Sequence, residues 1–496
     1  MGSVYTLPVL WKQENVSGQT NIISRGEYLC SPLSVCSGLM ECDEMIHKFE
    51  KFGLYIVLDV NSGSVHVVDE ISYKLLDCFE DGELNHKKAD KLLSEYSQLE
   101  ILESYSELKE LISAGQLFTK DWHKEMDYNK ESVIKAMCLH VAHDCNLSCK
   151  YCFANKGDYT GPKGIMSLEV GKKAIDFVIK SSGNRKNIEI DFFGGEPLMN
   201  FDTTCKILEY ASEEGKKHGK NFRFTITTNG ILLDEEKLDY INKHMENIVL
   251  SIDGTKETHD NMRPCVNGKG SYDIVMPKFK ETAESRNQDN YYVRGTYTKH
   301  NLDFAKDVLH LADEGFKQIS VEPVVAPDSE DYAITEADLP TLLEQYDILA
   351  EEMLRRDEKG EGFNFFHFMI DLTGGPCALK RMSGCGAGHE YVAVTPEGDI
   401  YPCHQFVGQE EFKMGSVLDG SIDKEKSKEY SKINLYTKKE CGDCWAKFYC
   451  SGGCLATSVN YAGGMDKPYK IACELEKKRV ECAIALKIKS FLRENN

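Results

Sequence analysis

Between residues 136 and 358 the hydrophobic pattern alternates between two periods, and that alternation leaves few folds open. Short runs rich in β-branched and aromatic residues stand at 136–142, 187–193 (NIEIDFF), 222–228 (FRFTITT), 247–252 (NIVLSI), 291–298 (YYVRGTYT) and 318–324 (QISVEPV). Helical stretches near 167–182, 201–219, 233–244, 272–287, 302–314 and 336–358 follow them in turn. Successive βα units pair their strands in parallel, because each helix carries the chain back across the sheet. The expected fold is α/β, a partial (β/α)6 TIM-like barrel, with chemistry at the carboxyl ends of the strands.

The residues there are chemically loaded. Just after the first run, Cys145, Cys149 and Cys152 stand as C-x3-C-x2-C. Zinc sites and ordinary four-iron clusters want four protein ligands, so a tight trio points to an iron–sulfur cluster with one iron left for a substrate or cosubstrate. Free thiols, or a zinc site completed from afar, are the alternatives. After the second run comes Gly194-Gly195-Glu196-Pro197, two glycines that allow close backbone approach and a carboxylate able to receive an ammonium group. Thr228-Asn229-Gly230 ends the third run and Ser251-Ile252-Asp253-Gly254 the fourth; both could equally be strand-to-helix caps. Arg294, on the fifth, is a candidate carboxylate clamp if it faces inward.

A second constellation fills the last third. Cys385, Gly398 and Cys403 give C-x12-G-x4-C, Cys441, Cys444, Cys450 and Cys454 give C-x2-C-x5-C-x3-C, and Cys473 follows. A zinc ribbon over 441–454 would leave the distant cysteines unexplained. Cys377 lies eight residues before Cys385, whereas Cys78, Cys138, Cys205 and Cys265 have no partner spacing and read as small core residues.

Residues 45–130 read as a separate unit. YIVLDVNSGSVHVVDE gives two strands joined by Asn61-Ser62-Gly63-Ser64, and acidic amphipathic helices follow through Leu111. A β-hairpin with three helices suits a small winged-helix-like fold. DNA binding is the competing use of such a fold, and the acidic helices argue against it.

With Tyr151 directly before its third cysteine, the trio resembles the signature of the radical S-adenosylmethionine (SAM) enzymes. The resemblance implies that Cys145, Cys149 and Cys152 ligate a [4Fe-4S] cluster whose open iron binds SAM. It also implies that Gly194, Gly195 and Glu196 meet the SAM amino group, that Thr228, Asn229, Ser251 and Asp253 lie along its ribose and carboxylate, and that Tyr151 lies near the adenine. The C-terminal cysteines resemble the SPASM extension of peptide-modifying radical SAM enzymes, which holds two auxiliary [4Fe-4S] clusters. By that analogy Cys441, Cys444, Cys450 and Cys473 hold the outer cluster, and Cys385, Cys403 and Cys454 the inner one. Cys377 could complete the inner cluster, or an open iron there could bind a substrate thiolate; Cys482 could stand in for Cys473.

From about residue 45 the chain resembles the SCIFF (six-cysteine peptide) maturases, which form thioether crosslinks in ranthipeptides. FGLYIVLDVNSGSVHVVDE and GCGAGHEYVAVTPEGDIYPCHQF carry that likeness. It implies that 45–130 is a RiPP recognition element binding the leader of a precursor peptide, that 131–360 is the radical SAM barrel and that 361–496 is the SPASM domain. It further implies a flavodoxin or ferredoxin as low-potential electron donor. Other radical SAM–SPASM chemistries remain open: carbon–carbon crosslinking, α-carbon thioether formation and sulfatase maturation. An iron–sulfur electron carrier or peptide-binding scaffold is the non-enzymatic alternative. Residues 1–44 depart from the pattern; their Cys30-x5-Cys36-x5-Cys42 invites the idea of a fused substrate, with terminal disorder as the default.

Composition narrows the partners. A net charge of −21 argues against nucleic acid or an anionic membrane, although solubility alone could account for it. No apolar run approaches the ~20 residues that span a bilayer. Nor does the N-terminus read as a signal peptide, so the expected location is cytoplasmic. Nineteen cysteines in such a chain point to metal ligation rather than disulfides, and exposed reduced clusters to an oxygen-poor host.

Overall fold

The computed structural model describes residues 4–6, 45–80, 82–126, 133–372 and 381–495. By internal contacts the chain divides into two compact units, one built on the residues up to Met126, the other on Asp127–Met369 and Lys380–Lys489. Cys30, Cys36, Cys42 and Cys377 lie outside the described residues.

In the first unit an antiparallel sheet runs in the order β1 (Val4–Thr6), β4 (Val65–Val68), β3 (Leu54–Asp59), β2 (Ile46–Lys51). The expected β3–β4 turn forms around Asp59, a fully buried carboxylate that accepts from Ser62 N at 2.9 Å, Ser62 Oγ at 2.7 Å and Thr119 N at 3.0 Å. The sheet is larger than the expected hairpin. IHKFEK in β2 carries charges at alternate positions, as an edge strand does, and so does not read as a buried run. Helix α1 (Glu70–Leu75) and helix α2 (Gln98–Ser113) cover the sheet; α2 starts at a capping box formed by Ser97 and Glu100. Val57, Leu75, Ile101, Leu108 and Leu117 form the core between them.

The second unit follows the expected alternation closely. Strands β5 (Ala136–His143), β6 (Asn187–Gly194), β7 (Asn221–Thr228), β8 (Asn247–Ser251), β9 (Tyr291–Tyr297) and β10 (Gln318–Pro323) pair in parallel in chain order. Helices α3 (Leu168–Ser181), α4 (Phe201–His218), α5 (Glu235–His244), α7 (Tyr272–Ser285), α8 (Phe304–Asp313) and α9 (Leu339–Glu358) follow their strands. A short helix not anticipated from the sequence, α6 (Lys256–Met262), follows β8. One sheet face, including Ile190, Phe192, Phe224, Ile226, Ile248, Leu250, Val293 and Tyr297, is buried; Tyr297 stacks on Phe304 of α8 with ring centroids 4.3 Å apart. Alternation leaves the other face mixed and polar, with Asp191, Thr225, Thr227, Ser251, Arg294 and Glu322.

The sheet does not end with these six strands. Beyond β10 lies β11 (Asn364–Phe365), and on the opposite edge β12 (Tyr391–Val394) pairs in parallel with β5. From β12 an antiparallel run continues through β13 (Asp399–Tyr401), β14 (Gly415–Ser416) and β15 (Ser421–Ile422). The cysteine-rich segment is thus hydrogen-bonded to the strand that leads into Cys145. Among the described residues, no helix is long and apolar enough to cross a membrane.

Candidate active site and cluster centres

The loop carrying Cys145, Cys149 and Cys152 leaves the carboxyl end of β5 and is held from two sides. From β6, Gly195 N donates to Ala142 O at 2.8 Å and Glu196 N to Asp144 O at 2.9 Å. A Cβ on Gly194 would stand 2.2 Å from Ala142 O, and one on Gly195 2.2 Å from Asp144 O. The close approach expected of these glycines is therefore made to the cysteine loop itself. On the other side, Ser148 N donates to Pro264 O at 2.8 Å and Lys150 N to Met262 O at 2.9 Å.

Glu196 is fully buried and committed to protein donors. Its Oε1 accepts from Thr228 Oγ1 at 2.7 Å and Leu198 N at 3.0 Å, and its Oε2 from Asn229 N at 2.8 Å. Burial raises its pKa despite those three bonds. Asn229, so fixed, donates through Nδ2 to Asn146 Oδ1 at 2.8 Å and approaches Cys145 Sγ at 3.6 Å. Glu196 thus braces the ends of β6 and β7 against the cysteine loop.

Tyr151 and Asp253 meet directly. The Tyr151 hydroxyl lies 2.8 and 2.7 Å from the two Asp253 carboxylate oxygens and accepts from Arg263 Nη1 at 2.7 Å. Thr296 N also donates to Asp253, at 3.1 Å. Burial pushes the Asp253 carboxyl up to about 6 in spite of Arg263. Sequence reasoning named Tyr151 and Asp253 but missed Arg263. The only sequence signal for it is its place just beyond the Ser251–Gly254 strand end.

Arg294 projects from the polar face next to Ser251, its β8 register partner, and pairs with Glu322 on β10 through Nη2 and Nε at 2.9 and 3.1 Å. Burial opposes ionisation of Glu322, but Arg294, with His367 and Arg479, holds the carboxyl at about 2. On the same face the Asp191 carboxyl is pushed up to about 7 by burial, with Arg294 opposing, and its Oδ1 has no hydrogen-bond partner among the described residues. His404, from the cysteine-rich segment, packs near Phe153 and Phe193, and burial lowers it to about 4.

The later cysteines gather in two sets. Cys450 lies within electrostatic reach of Cys473, Cys441 and Cys444, and Cys403 within reach of Cys454 and Cys385. Lys438, 5% exposed, lies by both sets, near Cys441, Cys450, Cys454 and Cys473. Cys482 is fully buried, with Sγ 3.7 Å from Tyr346 O.

Among the described residues no three metal-ligating side chains form a site for a single ion. A four-iron cube spreads its ligands farther apart than one ion does, and thiolate is the donor such a cube takes. Burial pushes the Cys145 thiol up to about 12, Cys149 to about 11 and Cys403 to about 12, as it pushes Cys205, which stands in neither set, to about 11. Such buried thiols become thiolates only when a cation offsets the buried charge, as cluster iron does.

Residues 139–315 match the Radical SAM superfamily model, and residues 385–445 the SPASM model, an iron-sulfur cluster-binding domain. The chain is 23% identical to the radical SAM cyclopropyl synthase TigE of Paramaledivibacter caminithermalis, over 84% of this chain and 89% of that protein. It is 24% identical to the cysteine-type anaerobic sulfatase-maturating enzyme of Clostridium novyi, over 63% of this chain and 86% of that one. The solved structure of native anSMEcpe with bound AdoMet and Kp18Cys peptide superposes with a TM-score of 0.60 at 20% identity, covering 73% of this chain and 99% of that one.

Proposed function

For a chain carrying a radical SAM domain followed by a SPASM domain, we propose the function of a peptide maturase that installs cysteine thioether crosslinks in a ribosomally made precursor, as SCIFF maturases do. The two domains imply SAM and [4Fe-4S] clusters as cofactors, one cluster in the radical SAM domain and auxiliary ones in the SPASM domain. When bound, they supply a 5'-deoxyadenosyl radical that removes a hydrogen atom from a substrate carbon. In the proposal Cys145, Cys149 and Cys152 hold the first cluster. Gly194, Gly195, Glu196, Thr228, Asn229, Ser251 and Asp253 shape the SAM site, Tyr151 lies by the adenine, and Arg294 faces the SAM carboxylate.

The observation that carries the thioether reading is the trio Cys385, Cys403 and Cys454. As a set of three beside Cys441, Cys444, Cys450 and Cys473, it leaves the fourth position of a four-iron cluster to Cys377 or to a substrate thiolate. A thiolate held there would be deprotonated and positioned for attack. For each crosslink a carbon loses a hydrogen atom, a cysteine sulfur loses its proton and one carbon–sulfur bond forms. The electron left over passes to an oxidised acceptor, for which the SPASM cysteines provide the ligands.

Residues 45–130 are proposed to bind the precursor's leader by strand addition, 131–360 to form the partial barrel, and 361–496 the SPASM domain. Support for strand addition comes from β4, whose edge takes on Val4–Thr6 as an added antiparallel strand. The likeness to TigE over most of both chains favours a second reading, a peptide modifier that forms carbon–carbon bonds. The proposed setting is the cytoplasm, with a flavodoxin or ferredoxin as electron donor.

The test is anaerobic incubation of the reconstituted protein with SAM, a reductant and the cysteine-rich peptide encoded beside its gene, followed by tandem mass spectrometry. Thioether formation predicts a loss of two hydrogens per crosslink, with one cysteine shielded from alkylation each time. The same mass loss with every cysteine still alkylatable would move the product to a carbon–carbon bond.

A further inference from the structure

We propose that Arg263 positions the loop of Cys149 and supplies the buried positive charge that eases reduction of the cluster that loop holds. The inference rests on the reading of Cys145, Cys149 and Cys152 as cluster ligands.

The geometry is specific. Met262 and Pro264, on either side of Arg263, accept the backbone bonds from Lys150 and Ser148, so the Arg263 main chain is stitched to the loop on both sides of Cys149. Its side chain is 12% exposed. Nη1 donates to Tyr151 Oη at 2.7 Å and lies 3.9 Å from Asp253 Oδ1, while the buried Nε has no partner among the described residues.

The backbone is tied just as firmly. Arg263 O accepts from Ser271 Oγ at 2.6 Å, Ser271 Oγ meets His259 Nε2 at 2.8 Å, and His259 Nδ1 accepts from Asp253 N at 3.3 Å. Because the serine proton is given to Arg263, His259 donates from Nε2 and accepts at Nδ1, which fixes the neutral tautomer. Burial, then Arg263, lower His259 to about 3, so the ring stays neutral.

The charge balance gives the arrangement its purpose. The Arg263 guanidinium is anchored on the hydroxyl of Tyr151, two residues from Cys149, with the Asp253 carboxylate beside it. Reduction adds a negative charge to a cluster, and net charge, hydrogen bonds and burial set its potential. A fixed cation in a buried setting therefore stabilises the reduced form.

The test is an EPR-monitored redox titration of the full chain, following the signal that changes when SAM is added, which separates this cluster from the auxiliary ones. Arg263→Gln is expected to shift that midpoint to lower potential, whereas Tyr151→Phe, which keeps the charge, leaves it in place. An unchanged midpoint in a loaded Arg263→Gln protein overturns the inference. Should that variant fail to load iron, Arg263→Lys decides: it is expected to load and titrate like the wild type, and failure to load or a clearly lower midpoint overturns the charge role. A wild-type protein with no SAM-responsive signal would instead remove the cluster assignment itself.

Discussion

Replacing Glu196 with Gln separates a brace from a ligand contact. The carboxylate accepts three buried bonds, two at Oε1 and one at Oε2. A glutamine keeps the Oε1 pair if its carbonyl takes that place, and its amide then points N–H groups at Asn229 N. The bond to the charged acceptor is lost and the Asn229 N–H is left facing the new amide N–H groups with no acceptor between them, together about 2 to 4 kcal/mol. If that cost falls on local opening, amide exchange at Asn229 and Leu198 speeds up by about 30- to 1000-fold. Hydrogen exchange on the SAM-free protein is the assay. Thr228→Val, which removes one donor and leaves the acceptor ionised, is expected to cost about 1 kcal/mol. Unchanged protection in SAM-free Glu196→Gln, with weakened binding of SAM, would refute the brace and make Glu196 a ligand contact alone.

Three further outcomes follow from particular contacts. Asp191 is held near 7, so the folded protein binds a proton that the unfolded chain releases near 4, and stability is lost as pH rises across that window. Asp191→Asn should therefore melt with the wild type at about pH 3, already above it at about pH 5 and furthest above it at about pH 8, by at most about 4 kcal/mol, as scanning calorimetry would show. Gly195→Ala would drive a Cβ to 2.2 Å from Asp144 O, so iron analysis should show loss of the SAM-binding cluster while the auxiliary iron remains. Cys450→Ala should keep SAM cleavage and lose the crosslinked product, read from 5'-deoxyadenosine and peptide mass in one reaction.

The six parallel strands and their helices are legible because local periodicity reports burial directly. NIEIDFF, for instance, buries Ile188, Ile190 and Phe192 against the helices and turns Asp191 to the polar face. The pairing of β12 with β5 is not legible, since a four-residue strand some 250 residues from its partner carries no local mark of that partner. In the site, the residue types were readable and their partners were not. Tyr151, Asp253 and Glu196 stood out by motif, yet each has hydrogen-bond partners far along the chain: Arg263 for Tyr151, Thr296 for Asp253, Thr228 and Asn229 for Glu196. Arg294 was singled out as a lone charge, whereas its partner Glu322 lies on the next strand, a pairing only register reveals.

The central claim is that the loop after β5 holds the cluster that cleaves SAM. Its most direct test is 5'-deoxyadenosine formation by the anaerobically reconstituted, reduced protein, compared with Cys149→Ala loaded in the same way. The account predicts steady production by the wild type and none by the variant, with the auxiliary iron of the SPASM domain retained. Cleavage at the wild-type rate by Cys149→Ala would contradict it.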